Sequence, residues 1–202
     1  MSSRYGLVVC GGKSSRMGTD KSLVNYHGKP QRYHLYELMK PHCERVFISC
    51  NALQVPDIPS EYEVLVDDPE YGDIGPMAAL LTAFKQHPEA SFMVVGCDYP
   101  FFSQAHIEQL SKATLQSENA AAFYNADNEF YEPLLAGYQS IVKHTLELNF
   151  RLKNLSLQRI LKEVSADIIE AGDEMAIQSI DTIDGYEKVM LQLYKTNNNN
   201  TK

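Results

Sequence analysis

Residues 10–21 read CGGKSSRMGTDK, with three glycines, two lysines and one arginine close together. Glycines let backbone N–H groups approach an anion closely. Arg16 offers a planar fork to phosphate oxygens, and Lys21 a mobile point charge. That combination suits a nucleoside triphosphate. A second stretch, GCDYPF at 96–101, holds Asp98 just past an apolar run. A carboxylate there is well placed to hold Mg²⁺, which takes oxygen ligands and bridges phosphates. In a third stretch, Asp67 and Asp68 end an apolar run ahead of GPM at 75–77. Asp68 can hydrogen-bond a base or a ribose, or help the metal.

The loop matches neither of two common phosphate motifs. A Walker A loop ending in Gly12, Lys13 and Ser14 needs a glycine at position 7, which is Leu7. The dinucleotide fingerprint counted from Gly11 needs glycines at 13 and 16, which are Lys13 and Arg16.

The elements that must position these residues alternate between apolar runs and amphipathic stretches. Residues 5–10, 46–50, 63–66, 92–95, 120–124 and 130–136 read as strands. Residues 32–39, 76–87, 103–115 and 157–164 read as helices, with Ser103 as an N-cap. Met77, Leu80, Leu81 and Phe84 fall at i, i+3, i+4 and i+7. Residues 168–170 and 176–180 read as short strands, and 183–193 as a last helix. The alternation predicts an α/β fold with a mostly parallel sheet and helices on both faces. The glycine loop and Asp98 then fall at the carboxyl ends of strands, where open sheets bind ligands. Neither an internal linker nor a repeat is visible.

Composition narrows the function classes. The chain has 202 residues and a net charge of −8, which argues against nucleic acid as the main partner. Lys13, Arg16, Lys21 and Lys29 nonetheless form a local cationic cluster. No apolar run approaches the roughly 20 residues that span a bilayer, and the amino-terminal run is too short for a signal peptide, so a cytoplasmic location is expected. Of the four cysteines, Cys10, Cys50 and Cys97 end apolar runs and Cys43 does not. None forms a C-x-x-C pair, so reduced, buried thiols are expected rather than a zinc site. The six histidines lack metal-ligand spacing and read as surface or packing residues.

VCGGKSSRMGTDK resembles the L-A-G-G-x-S-x-R-M-G-x-D-K signature of the molybdenum cofactor guanylyltransferases, the MobA-like nucleotidyltransferases. The resemblance continues in HGKP at 27–30, ISCN at 48–51, DIGPMAALLTAF at 73–84, VGCDYPFF at 95–102 and EPLLAGY at 132–138. It runs on through LSLQRILKEV and SIDTIDGY near the carboxyl end. It implies one Rossmann-like, three-layer α/β/α domain of the nucleotide-diphospho-sugar transferase type over residues 1–195; the tail 196–202, with its four consecutive asparagines, is expected to be disordered. It also implies GMP transfer from GTP to molybdopterin carrying molybdenum, with pyrophosphate released and molybdopterin guanine dinucleotide formed.

Carried over residue by residue, Val9, Cys10, Gly11 and Gly12 contact the guanine nucleotide, and Lys21 meets its phosphates. Asp68 binds nucleotide, and Asp98 binds nucleotide and Mg²⁺. Asn51, or Ser49 on an ungapped count, supplies a further nucleotide contact. Arg16, Lys21 and Asp98 are the expected catalytic groups, acting by electrostatic stabilisation. Transient contacts with molybdopterin-synthesis proteins or molybdoenzyme chaperones are implied as well. Cys10 replaces the family's alanine, Glu132 its histidine or glutamine, and SIDTIDGY lacks the family's asparagines, proline and E-D pair. The competing readings are a cytidylyl- or sugar-phosphate nucleotidyltransferase, and a nucleotide-binding regulator without catalysis.

Overall fold

A computed structural model describes residues 3–10, 20–180, 185 and 187–191. The first strand, β1 (Arg4–Val9), leads through α1 (Gln31–Met39) to β2 (Arg45–Cys50) and β3 (Val64–Val66). Helix α2 (Pro76–Gln86) precedes β4 (Ser91–Gly96), and α3 (Gln104–Gln116) precedes the hairpin of β5 (Ala120–Asn125) and β6 (Phe130–Tyr138). Two helices, α4 (Val142–Arg151) and α5 (Leu157–Glu163), lead to β7 (Asp167–Ile169). The seven strands form one sheet in the order β3-β2-β1-β4-β6-β5-β7. Pairing is antiparallel where β6 meets β4 and β5, and parallel elsewhere.

Burial on both faces explains the near-continuous apolar runs of β1 and β4. Leu7, Val9, Phe92 and Val94 face one side, packed with Met77, Leu80, Leu81 and Phe84 of α2 and with residues of α4 and α5. Val8, Met93 and Val95 face the other, packed with Leu35 and Met39 of α1 and Ile107 and Leu110 of α3. Proline at the first position of α2 costs no intrahelical hydrogen bond, and Ser103 starts α3 with a capping box closed by His106. Helix α3 sits tight on β6. A Cβ built on Gly137 would lie 2.0 Å from the Thr114 hydroxyl, so only glycine fits there.

One expectation changes. Residues 176–180 form no strand. Glu174–Ile177 make a 3₁₀ turn whose first residues are held by Asp173, which accepts from the Met175 N–H at 3.0 Å. The Ile180 N–H then donates to the Asp98 carbonyl at 2.8 Å instead of joining a ladder. Helix α4 (Val142–Arg151) carries little sequence pattern of its own. Its buried stripe is only Val142, Leu146 and Asn149, while Leu148 is exposed. Of the expected last helix, Gly185 and residues 187–191 are helical; the rest of it, the glycine-rich segment 11–19 and the tail lie outside the described residues.

Candidate active site

The chain runs from β1 to β2 and β3 on one side, then returns through α2 to place β4 on the other side of β1. Helices α1 and α2 leave on opposite faces, so the carboxyl ends of β1 and β4 flank the topological switch point. The ladder continues one residue past each strand. The Cys10 N–H donates to the Ser49 carbonyl at 3.1 Å, and the Cys97 N–H to the Val9 carbonyl at 3.2 Å. The Cys10 and Cys97 sulfurs lie 3.5 Å apart, buried at these strand ends.

Asp98 follows directly. A Cβ built on Gly96 would stand 2.6 Å from the Asp98 Oδ1 and 3.1 Å from the Leu134 Cβ, so the carboxylate folds back over the glycine. The turn carrying Asp98 is braced on several sides. Ile180 donates to its carbonyl, the buried Tyr99 hydroxyl donates to Glu132 at 2.8 Å, and His27 Nε2 bonds the Pro100 carbonyl at 2.8 Å. His27 in turn stacks on His34, with ring centroids 4.1 Å apart. Burial first, then His27 and Lys29, push the His34 imidazole down to about 4. Glu132 is half-buried; desolvation pushes its carboxyl up, and the nearby Asp98 charge adds to that.

On the β1-β2-β3 side, Asp20 fixes the chain just ahead of Lys21. It accepts from the Ser22 N–H and hydroxyl at 2.9 and 2.7 Å, and from Gln54 Nε2 at 2.7 Å. Lys21 thereby opens a short 3₁₀ turn, Lys21–Leu23, tied to the loop after β2. Asn51 caps that loop, its Oδ1 accepting from the Leu53 N–H at 2.9 Å. The Ser49 hydroxyl donates to Asp67 at 2.8 Å, and burial pushes the Asp67 carboxyl up. Asp68 is engaged outward, accepting from Lys85 at 2.7 Å and from the Glu70 N–H at 2.9 Å.

The structure therefore brings Val9, Cys10, Asn51, Asp68 and Asp98 to the carboxyl edge of four neighbouring strands, with Lys21 in the segment after β1. Gly11, Gly12 and Arg16 lie outside the described residues. Sequence reasoning gave no role to Gly96, Tyr99 or Asp67. Glu132 stood out only as a departure from its family's residue type. Among the described residues no group of three or more His, Cys, Asp or Glu gathers as a closed metal cage. The carboxylate oxygens of Asp98 are donors of the hard type that divalent cations such as Mg²⁺ take.

The MobA-like NTP transferase domain matches residues 6–168, from the first strand into β7. The chain belongs to the MobA-like NTP transferase family. As a MobA-like transferase it is a nucleotidyltransferase. It is 33% identical over 189 residues to a molybdenum cofactor biosynthesis bifunctional protein of Synechocystis, covering 92% of this chain. The match spans 53% of that relative, so the chain corresponds to about half its length. It is 30% identical over 160 residues to a molybdenum cofactor guanylyltransferase of Pseudomonas entomophila, covering 77% of this chain and 80% of the relative. The crystal structure of molybdopterin-guanine dinucleotide biosynthesis protein A from Archaeoglobus fulgidus shares the fold, with a TM-score of 0.78 at 21% identity. That superposition covers 95% of this chain and 99% of the other. No helix of the described residues is long and apolar enough to cross a membrane.

Proposed function

We propose that this MobA-like transferase moves GMP from GTP to molybdopterin carrying molybdenum, forming molybdopterin guanine dinucleotide and pyrophosphate. The observation that carries the reading is the Asp98 carboxylate, folded over Gly96 beside the switch point of a chain whose relatives include named guanylyltransferases. A terminal phosphate oxygen of the acceptor attacks the α-phosphorus of GTP. The bond from that phosphorus to the bridging oxygen breaks, and the electron pair leaves with pyrophosphate. A phosphate monoester is largely ionised at neutral pH, so a strong general base is unnecessary.

The protein's work is positioning and charge. The backbone of Val9, Cys10, Gly11 and Gly12 seats the nucleotide, with Asn51 and Asp68 as further contacts. Lys21 and Arg16 stabilise the charge that grows on pyrophosphate. Asp98 is the residue that would hold Mg²⁺. When bound, this cation would offset charge on the α-phosphate and the leaving group.

The test is product analysis after incubation with Mg²⁺, molybdopterin carrying molybdenum, and GTP, CTP, ATP or UTP in turn. The reading expects the guanine dinucleotide and stoichiometric pyrophosphate with GTP. Transfer from CTP alone would reassign the donor, and tight GTP binding without pyrophosphate release would point to a non-catalytic binding protein.

A further inference from the structure

We propose that Cys10 and Cys97 form an oxidisable dithiol at the floor of the nucleotide crevice, a modification site for hydroperoxides whose disulfide form excludes the nucleotide. The link to nucleotide exclusion rests on the function proposed above; the chemistry of the pair does not.

Strands β1 and β4 pair in parallel with Val9 opposite Gly96, so the next residues, Cys10 and Cys97, are direct cross-strand neighbours. Both side chains point to the same face, toward α1 and α3. Adjacent strands lie about 4.8 Å apart, within the Cα separation of about 4.4–6.8 Å that a disulfide spans. The sulfurs are already 3.5 Å apart, and the other partner of the Cys10 thiol is the Val8 carbonyl at 4.0 Å. Cys50, one position past the Val9–Ser49 pair, flanks Cys10 on the β2 side and is fully buried, but the sulfur that Cys10 contacts is that of Cys97; Cys43 faces the Met93 sulfur at 3.9 Å.

The pair divides the work of a two-step oxidation. Cys10 is the shallower thiol, the last described residue before the glycine segment, and it meets the oxidant first. Its thiolate attacks one peroxide oxygen, the O–O bond breaks to give a sulfenic acid, and the departing hydroxide (or alkoxide of an organic peroxide) takes up the proton the thiol gave up, leaving as water or alcohol. The Cys97 sulfur then attacks the sulfenic sulfur, the S–S bond forms, and a second water leaves. In total the peroxide is reduced by two electrons and the two thiols are oxidised by two. Closing the sulfurs to bonding distance draws together the strand ends that lead into Gly11 and into Asp98. A nucleotide seated over Cys10 shields the first step, and the strand ends drawn together by the disulfide no longer fit it.

The test uses the full chain, reduced, freed of reductant, exposed to hydrogen peroxide, alkylated and digested without reduction. The expected product is a peptide pair joined through Cys10 and Cys97, separated again by dithiothreitol. Linkage and nucleotide should exclude one another, so Mg–GTP at about 100 times its Kd should slow linkage by about 100-fold. GTP binding should disappear on oxidation and return on reduction. Cys97→Ala should abolish the reversible loss, and Cys43→Ser should leave it intact. Absence of the linked peptide in wild type would overturn the site, whatever the variants do. A linked peptide forming equally fast with GTP would overturn the coupling to the crevice. A linked peptide that forms when no GTP binding is found under any condition would leave the dithiol standing and count against the function proposed above.

Discussion

The two edges of the sheet treat their acids differently. At the amino edge, Glu63 is paired with Arg45 at 2.5 Å, and Arg45 also covers the Phe47 ring at 4.6 Å. His87 stacks on Phe47 and meets Tyr5 edge-on, closing an aromatic patch around the pair. At the carboxyl edge, Asp67 accepts from the Ser49 hydroxyl and Glu132 from the Tyr99 hydroxyl. Both carboxylates are half-buried, and burial pushes both upward. A hydroxyl satisfies a lone pair without cancelling a charge, so these acids sit at the edge at some cost to folding. Under the proposed function, such an edge would meet a cation that comes with a ligand. Asp68 marks the border between the two regimes, exposed and paired with Lys85.

The largest expected effect comes from removing the carboxylate that the switch point presents. Asp98→Ala should lower the rate of pyrophosphate release by about 10²–10³ or more, as loss of one preorganised electrostatic group does. Unchanged turnover in saturating Mg²⁺ would end the assignment of this edge as catalytic. Next comes Gly96→Ala, whose new methyl would collide with the Asp98 Oδ1. Displacing a reacting-site group by about 1 Å can cost about 10² in rate. Steady-state kinetics should show that loss, while thermal unfolding shifts modestly. If activity and stability fell in proportion, Gly96 would be a packing residue only.

The acid limb of stability should carry a histidine. The folded protein holds the His34 imidazole near 4 against an ordinary 6.5, so between those values the unfolded chain binds more protons. Stability should therefore fall as pH drops from about 6.5 to about 4. His34→Gln should flatten that limb in denaturant titrations at several pH values. An unchanged slope would take His34 out of the acid response, and with it the stack that backs His27.

The smallest effects compare the edges directly. Asp67→Asn keeps a partner for Ser49 and removes the buried charge. The folded state holds the Asp67 proton more tightly than the unfolded one, so the carboxyl lowers stability once pH rises through its shifted value. The variant should melt higher than wild type at pH 7. Glu63→Gln should melt slightly lower, losing no more than about 1 kcal/mol of stability, because its ion pair is surface-exposed. Two variants moving in the same direction would erase the distinction between the edges.

Much of this fold is legible in the sequence, for reasons specific to each element. The runs of β1 and β4 are apolar at successive positions because helices cover both faces. Helix α2 shows the large side chains of its buried surface in Met77, Leu80, Leu81 and Phe84. Helix α4 hides its stripe among exposed apolar side chains, and the segment 176–180 looks like a strand because Ala176, Ile177 and Ile180 are buried for another purpose, closing over β5 and the Asp98 turn. The site divides in the same way. Asp98 and the glycine-cation loop stand out locally by residue type. Gly96 is explained only by the carboxylate folded over it, and Glu132 only by β6 lying against β4, neither of which a local pattern carries.

Crystals grown with GTP and Mn²⁺ test the central claim most directly, because manganese substitutes for magnesium and scatters anomalously. The account predicts an anomalous peak in contact with an Asp98 oxygen and with phosphate oxygens of a nucleotide lying across the ends of β1 and β4. A peak and nucleotide elsewhere on the protein, with Asp98 touching neither, would contradict it.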